Sequence, residues 1–311
     1  MPESLEAKPR VVDLAGPTGV GKTRLSLVLA RTFGAEIVNA DSMQVYRRLD
    51  IGTAKPTPDE RAEAPHHLID VVDPDQDFDA ARFVGLARPL IADLDRRGGR
   101  ALVVGGTGLY LRSLLRGLFQ GPGRDAGIRS ALQAEADRSG PEALYQRLTR
   151  VDPETAARIG PADRVRIVRA LEVHDLTGRP ISRFQEEHQL ADNPFEVQFF
   201  CLNLPRAELY QRIEERTGRM FDDGLIEEVE GLLNRGYAPD LKPLKAIGYK
   251  QAVACLQGRL TVDRARAEIM KQTRRYAKRQ LTWFRAQPDV HWVSPDALEA
   301  VVRETGGFWG E

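Results

Sequence analysis

The sequence GPTGVGKT at residues 16–23 decides the fold, because it has the spacing G-x-x-x-x-G-K-[ST] of a P-loop. It directly follows the apolar run at residues 11–15. A strand that enters a glycine-rich turn and continues as a helix directs several backbone N–H groups at one point. Lys22 adds a positive charge there, and Thr23 adds a hydroxyl that can bind a magnesium ion. The pattern predicts a phosphate-binding site but does not identify the molecule that carries the phosphate.

Two further runs of β-branched and aliphatic residues predict buried parallel strands. They are AEIVNADS at residues 35–42 and RALVVGGTG at residues 100–108. The pattern also predicts a helix that begins at Lys22 and another near Asp79 to Arg97. This alternation predicts an α/β fold of the P-loop NTPase type, a doubly wound parallel sheet with its site at the C-terminal ends of the strands.

The composition changes between residues 121 and 193, where Ala, Leu, Arg and Glu recur at helical spacing without a strand pattern. We interpret this stretch as an inserted helical domain within a core formed by residues 1–120 and 194–311. Strand character returns at FEVQFFCLNLP, residues 195–205. Helices are then predicted to about residue 287, with breaks at RGYAPDLKP and QGRL.

The composition excludes several classes of protein. The 45 Lys and Arg residues balance the 45 Asp and Glu residues, so the chain is not basic throughout, although a local patch can still bind nucleic acid. The two cysteines, Cys201 and Cys255, lie far apart, which disfavours a disulfide framework or a zinc site and favours a cytoplasmic location. No apolar run approaches the roughly 20 residues that span a bilayer. We therefore expect no membrane association.

The positions of the acidic residues limit which kind of molecule can carry the bound phosphate. An ATPase or GTPase usually has a second strand that ends in a metal-holding aspartate. RALVVGGTG ends instead at Gly105 and Gly106, whereas EIVNAD ends at Asp41. Asp41 can be an N-cap for the next segment or a functional carboxylate beside the P-loop. Two alternatives stay open from these residues alone, a small-molecule or nucleotide kinase and a non-catalytic RNA-binding protein.

Seven motifs, spread over about residues 11–285, closely resemble those of bacterial tRNA dimethylallyltransferases. In chain order they are GPTGVGKT, NADSMQVYRRLDIGTAKP, PHHLID, VVGGTGLY, RALEV, IGYKQ and AKRQLTWFR. The resemblance implies that the P-loop holds the diphosphate of dimethylallyl diphosphate, with Mg²⁺ as cofactor. It further implies transfer of the five-carbon group to N6 of the adenosine 3′-adjacent to the anticodon (position 37), with release of diphosphate. The kinase alternative has no evident need for the second motif.

The resemblance also implies roles for individual residues. The diphosphate would be bound by Gly16, Pro17, Thr18, Gly19, Val20, Gly21, Lys22 and Thr23, with Thr23 as the metal ligand. Asp41 would be the catalytic base, and Thr18 and Arg216 would act on the diphosphate. Contacts with tRNA are implied for Asp41, Ser42, Met43, Gln44, Thr107, Arg129, Val165, Arg166, Ile167, Val168 and Arg169. The sequence DRVRIVRALEV at residues 163–173 departs in detail from the commonest sequence of the family.

The expected partners follow from this chemistry. A departing diphosphate requires cations and N–H donors, and Arg216 lies at helical spacing from Arg212 and Arg219. The stretch at residues 259–285 has nine Lys or Arg residues and two acidic residues, which suits contact with RNA phosphates. Trp283 and Phe284 within it are more consistent with core packing. We expect the anticodon stem-loop of tRNA as partner and a monomeric enzyme.

Overall fold

The computed structural model describes residues 8–118, 121–188 and 192–311 of the chain. These residues belong to two compact units. The first unit comprises Met1–Leu115 and Pro194–Glu311, and the second comprises Arg116–Asn193. The second unit therefore begins five residues before the helical domain that the sequence predicts.

The first unit is built on a parallel sheet. Its strands are β1 Arg10–Ala15, β2 Ala35–Asn39, β3 His66–His67, β4 Arg100–Gly105, β5 Glu196–Leu202 and β6 His291–Val293. Within the described residues they form one sheet of order β3-β2-β4-β1-β5-β6, in which all neighbours are parallel. The predicted doubly wound parallel sheet is thus confirmed. The strands β3 and β6 were not predicted, because two or three residues are too few to show a periodic pattern.

Helices connect the strands and form the second unit. They are α1 Lys22–Phe33, α2 Pro58–Glu63, α3 Ala80–Arg96, α4 Gly108–Arg116, α5 Ala126–Ser139, α6 Pro141–Val151, α7 Pro153–Arg158, α8 Arg164–Thr177, α9 Ile181–His188, α10 Arg206–Asp222, α11 Leu225–Asn234, α12 Tyr249–Leu256, α13 Val262–Arg285 and α14 Leu298–Trp309. The two predicted breaks lie between α11 and α12 and between α12 and α13. The sequence analysis missed a further break at Gly224, which has a φ of 96° and separates α10 from α11.

Helix α1 holds the loop before it at the edge of the sheet. It begins after Gly21 and ends before Gly34, both of which have the left-handed backbone conformation that favours glycine. Between them, Leu25 and Leu29 bury their side chains in a core that includes Leu14 of β1. This burial fixes the start of α1 directly above the end of β1.

The register of the sheet brings three loops together. Ala15 of β1 is paired with Gly105 of β4 and with Cys201 of β5, and Asn39 of β2 is paired with Val104 of β4. Because parallel strands end at the same edge, the residues that follow β1, β2 and β4 are neighbours. Strand β2 ends at Asn39, so Asp41 lies two residues beyond the strand rather than at its last position.

The second unit is helical. Helices α5 to α9 surround an apolar cluster whose fully buried members include Leu148, Leu171 and Val173. Its described residues form helices and turns but no strand. Across residues 8–118, 121–188 and 192–311, no helix combines the length and apolar character needed to cross a membrane.

Candidate functional site

The loop at residues 16–21 folds into a cradle of backbone N–H groups at the start of α1. Gly16 and Gly19 have φ angles of 147° and 83°. A Cβ atom at Gly16 would lie 2.9 Å from the carbonyl oxygen of Leu202, so only glycine fits there. Val20 is fully buried and anchors the loop in the core. The cradle, together with the positive end of the α1 dipole, favours an anion.

Lys22 supplies the positive charge of the cradle. Its Nζ donates hydrogen bonds to the carbonyl oxygens of Gly16 (2.9 Å) and Pro17 (3.0 Å). Burial, aided by the nearby positive charge of Arg216 and opposed by the negative charge of Asp41, lowers the pKa of Lys22 to about 8. The ammonium group is therefore mostly charged at neutral pH but loses its proton in mildly alkaline solution.

Arg216 reaches the cradle from helix α10. Its Nη1 donates to the Thr18 hydroxyl at 3.0 Å, and its Nη2 donates to the Thr53 carbonyl at 3.3 Å. Because the Thr18 oxygen accepts from Arg216, the Thr18 O–H is free to donate elsewhere. Burial lowers the pKa of Arg216, which nevertheless remains a cation at physiological pH. The Thr18 hydroxyl and the Arg216 guanidinium, both hydrogen-bond donors, thus lie together at one side of the loop.

The two other arginines on the same face of α10 are placed differently. Arg212 donates to the Val20 carbonyl at 3.3 Å and is paired with Glu208 at 2.7 Å. Arg219 lines the same cavity, and its side chain makes no hydrogen bond or ion pair to another described residue. The helical spacing therefore correctly predicted that the three arginines share one face.

Asp41 lies beside the cradle, in a tight turn. Its Oδ1 accepts hydrogen bonds from the backbone N–H groups of Met43 (2.8 Å) and Gln44 (3.4 Å). Its Oδ2 has no hydrogen-bond partner within the described part of the chain. One oxygen therefore stabilises a turn rather than the first turn of a helix, and Asp41 also lines the polar cavity beside the P-loop.

Two cavities meet at these side chains. The first, of about 390 Å³, is polar and contains the P-loop residues Lys22 and Thr23. The second, of about 300 Å³, is largely apolar. Its apolar lining comprises Met43, Ile213, Met220, Ala246, Ile247 and Ile269. Both cavities are lined by Thr18, Asp41, Thr53, Arg216 and Tyr276. The site can therefore hold a phosphate group and an apolar group on either side of a carboxylate.

Residues 41–57, which we call the strap, are fixed by a buried lysine. The Lys55 side chain is 1% exposed and its Nζ donates to Asp70 (2.7 Å), Asp50 (2.5 Å) and the Tyr46 carbonyl (2.8 Å). Sequence analysis did not single out Lys55, because lysine is usually exposed. A buried lysine with two carboxylate partners makes the strap rigid.

A second anchor of the strap comes from α11 and α12. The Glu228 carboxylate accepts from the N–H groups of Asp50 (2.8 Å) and Ile51 (2.7 Å), and from the Tyr249 hydroxyl (2.7 Å). A Cβ atom at Gly52 would lie 2.5 Å from the Tyr249 ring. Sequence analysis placed Tyr249 only within a family motif and missed Glu228. Both residues hold the turn that carries the Thr53 carbonyl, the acceptor for Arg216.

The structure brings together the residues of the first unit for which tRNA contacts were predicted. Ser42 donates its N–H to the Thr107 hydroxyl at 3.1 Å, and Met43 lines the apolar cavity. Gln44 donates to the carbonyl oxygens of Thr53 (3.3 Å) and Ala54 (3.1 Å). These residues form one rim beside Asp41.

The residues predicted for tRNA contact in the second unit differ widely in exposure. Val165 is 82% exposed, and Arg166 is exposed and paired with Asp163 at 3.4 Å. Val168 packs partly against the apolar cluster. Ile167 is 1% exposed inside that cluster, so its side chain serves the core of the second unit, and the predicted contact of this position with tRNA stays a prediction.

Arg129 and Arg169 of the second unit share one buried carboxylate. Glu172 is fully buried and accepts from Arg129 (2.7 and 2.9 Å), from Arg169 (2.7 Å) and from the Asp125 N–H (2.9 Å). Burial alone would raise the pKa of Glu172, but the hydrogen bonds from both arginines lower it to about 2. Both guanidinium groups therefore hold the unit together, and their predicted contact with RNA remains a prediction.

The sheet and its site define an α/β protein of the P-loop class in which a phosphate cradle adjoins a carboxylate and an apolar cavity. Family models specify the class further. The chain belongs to the IPP transferase family, whose model matches residues 44–287. The model of a family described as isopentenyl transferase matches residues 9–69.

Individual proteins of known name are similar over nearly the whole chain. The tRNA dimethylallyltransferase of Geobacter sulfurreducens is 52% identical, over 98% of both chains. The solved tRNA isopentenylpyrophosphate transferase of Bacillus halodurans superposes with a TM-score of 0.73 at 38% identity, over 97% of both chains. A solved eukaryotic dimethylallyltransferase acting on tRNA superposes with a TM-score of 0.83 at 28% identity, over 97% of this chain and 79% of that one.

Proposed function

We propose that the protein is a tRNA dimethylallyltransferase that uses dimethylallyl diphosphate. The observation that carries this proposal is the junction of a phosphate cradle and an apolar cavity at Thr18, Asp41 and Arg216. An allylic diphosphate has one charged end and one apolar end, which matches the two cavities. The names of the relatives at up to 52% identity support the same activity.

The diphosphate would occupy the cradle at residues 16–23. Backbone N–H groups of the loop and the Lys22 ammonium would bind its oxygens, while Thr18 and Arg216 would donate to the oxygens that gain charge as it departs. Donors fixed in advance at a developing charge stabilise a transition state strongly, because they need no reorganisation. The strap keeps Arg216 in place through the Thr53 carbonyl.

A magnesium ion fits the oxygen atoms of the polar cavity. Mg²⁺ prefers oxygen ligands, retains several waters and is often held by one or two side chains together with substrate phosphates. Thr23 and Asp41 both line this cavity. The described residues contain no cluster of three or more His, Cys, Asp or Glu that could hold a metal, so the diphosphate would supply the remaining ligands. When bound, the ion neutralises charge on the leaving group.

The five-carbon group would lie in the apolar cavity. Burial contributes about 0.8 kcal/mol per methylene, or about 4 kcal/mol for five carbons. This is too little to anchor the substrate alone, so the diphosphate must provide most of the affinity. The apolar cavity therefore discriminates between donors by the shape of their apolar group, and it contributes little of the affinity.

Asp41 would act as general base on the acceptor. In the reaction, the C1–O bond of the donor breaks, a bond forms between C1 and the adenosine N6, and diphosphate leaves. The N6 proton passes to Oδ2 of Asp41, the oxygen that the turn does not use. A base of this kind typically contributes about 10² to 10⁴ in rate.

The acceptor would be an adenosine in the anticodon stem-loop of a tRNA, at position 37. We infer contacts with its RNA from Asp41, Ser42, Met43, Gln44 and Thr107. In the second unit, Val165, Arg166 and Val168 would contribute, together with Arg129 and Arg169 where their ion pair with Glu172 permits. A tRNA substrate implies a cytoplasmic enzyme, and we infer that one chain suffices for activity.

Transfer of radiolabelled dimethylallyl diphosphate to tRNA tests the proposal. The purified protein with Mg²⁺ should label a tRNA that has adenosine at position 37 and should not label the same tRNA with guanosine there. Absence of label from the adenosine tRNA would contradict the proposal. Rapid ATP hydrolysis without tRNA would instead favour a P-loop kinase or nucleotidase.

A further inference from the structure

Gln280 on helix α13 joins two loops of the site. This residue is 6% exposed. Its Oε1 accepts from the backbone N–H of Thr18 at 3.0 Å, and its Nε2 donates to the carbonyl oxygen of Gly106 at 2.8 Å. The acceptor end of the amide therefore binds the P-loop, and the donor end binds the loop after β4.

The space around this amide is tightly limited. A Cβ atom at Gly106 would lie 2.4 Å from the Gln280 Nε2, 3.1 Å from the Gly16 carbonyl oxygen and 3.6 Å from the Lys22 Nζ. Any side chain at Gly106 would therefore displace either the amide or the P-loop. The glycine and the glutamine fit each other, and the gap between the two loops is just wide enough for one planar amide.

Gln280 determines where Thr18 directs its groups. Because the Thr18 N–H is bonded to Gln280, it does not contribute to the anion cradle, and the peptide plane at this residue is fixed. The orientation of this peptide places the Thr18 side chain toward Arg216, whose Nη1 lies 3.0 Å from the hydroxyl. The other end of the amide fixes Gly106. The next residue, Thr107, accepts a hydrogen bond from the Ser42 N–H through its hydroxyl.

We propose that Gln280 is a positioning residue for the transfer reaction, which holds the Thr18 hydroxyl against the leaving diphosphate and sets the Gly106–Thr107 loop beside Asp41. This inference rests on the proposed function. Gln280 itself does not contact the reacting atoms. Loss of its amide leaves the Thr18 N–H and the Gly106 carbonyl without these partners at the largely buried edge of the polar cavity, and both loops then shift to find new ones.

Gln280→Met tests this role, because methionine has a similar length and volume but cannot make either hydrogen bond. We expect the single-turnover rate at saturating donor and tRNA to fall at least tenfold per folded molecule. The dissociation constant for tRNA should change less than twofold. Gln272→Met is the matched control, since Gln272 lies eight residues earlier on α13 and its side chain makes no hydrogen bond to another described residue. The rate of this variant should equal that of the unsubstituted protein.

A second variant separates positioning from general loss of stability. Gly106→Ala pushes on the same amide from the opposite side, so it should slow transfer similarly. In the double variant with Gln280→Met, the two losses should not multiply, because both act on one contact. Losses that multiply would show independent effects and overturn the inference.

Two other results would also overturn it: a Gln280→Met rate within twofold of normal, or a loss that disappears after correction for the folded fraction. Failure of the proposed function would look different, because the unsubstituted protein itself would then transfer no label.

Discussion

Replacement of Asp41 by asparagine separates proton transfer from structure. In the native turn, Oδ1 accepts from Met43 and Gln44, at 2.8 and 3.4 Å, and an asparagine carbonyl can accept the same two bonds. Asparagine also stabilises such positions about as well as aspartate. What Asp41→Asn removes is the second oxygen, which has no other partner within the described residues and is the proposed acceptor for the N6 proton.

The expected loss is at least about a hundredfold in the single-turnover rate, which corresponds to about 2.7 kcal/mol of barrier. Rapid mixing of saturating enzyme with labelled donor and tRNA measures this rate, and binding of both substrates is measured separately. Stability should change by well under about 1 kcal/mol, as judged by urea unfolding. Asp75→Asn, the same change at an exposed aspartate, is the control.

A transfer rate for Asp41→Asn within a few-fold of normal would refute the assignment of Asp41 as base. A large loss of tRNA affinity with an unchanged rate at saturation would instead assign Asp41 to recognition of the adenosine.

Three further predictions follow from the charges and hydrogen bonds. Since the pKa of Lys22 is about 8, the KM for dimethylallyl diphosphate should rise up to about tenfold between pH 7 and pH 9, and Lys22→Arg should flatten this rise in a steady-state pH series. The pKa of Glu172 is about 2 in the folded protein, against an ordinary value of 4.5. This difference contributes about 3 kcal/mol to the free energy of unfolding, which is fully present above pH 4.5 and is lost as the pH falls toward 2. Urea unfolding of Glu172→Gln should therefore show a loss of about 3–5 kcal/mol at pH 7, whereas Glu186→Gln, at an exposed ion pair, should change little. Tyr249→Phe, which removes one bond to the strap anchor, should lower the unfolding free energy by about 2 kcal/mol in the same assay, and an unchanged value would show that the hydroxyl does not anchor the strap.

The cradle and Asp41 could be located from sequence because each depends on short-range information. The P-loop is eight consecutive residues, and its strand and helix adjoin it on either side. The position of Asp41 then needs only one general rule, that parallel strands end at the same edge of a sheet. The register confirms that rule, since Asn39 of β2 and Ala15 of β1 both pair with residues at the end of β4.

The anchors of the strap could not be located in the same way, because their partners are distant in the chain. Glu228 binds the N–H of Asp50, 178 residues earlier. No local pattern marks a glutamate that accepts from a backbone turn elsewhere. Lys55 also resembles an ordinary surface lysine until the fold brings Asp70 to it.

The burial of Ile167 is a third case. The resemblance implied tRNA contacts for residues 165–169 as one segment, but helix α8 turns its side chains through successive directions. Ile167, Ala170 and Leu171 follow the spacing of three and four residues that marks a buried face, and all three lie in the core of the second unit. Periodicity alone would have separated Ile167 from exposed Val165 and Arg166.

Helix α13 shows why a count of charges is a poor guide to what a helix does. Its eight basic residues favoured an interface with RNA, and Lys271, Arg275 and Lys278 are indeed exposed. The opposite face carries Ala265, Ile269, Ala277, Gln280 and Phe284, all buried. A polar residue in such an apolar row must have a buried partner, because an unpaired amide would cost about 1–3 kcal/mol. The helical spacing of these residues was visible in the sequence, and it is the local signal that Gln280 lies on the buried face of α13. Its partners, Thr18 and Gly106, show that the inner face of α13 holds the phosphate cradle in place, whichever molecule the outer face contacts.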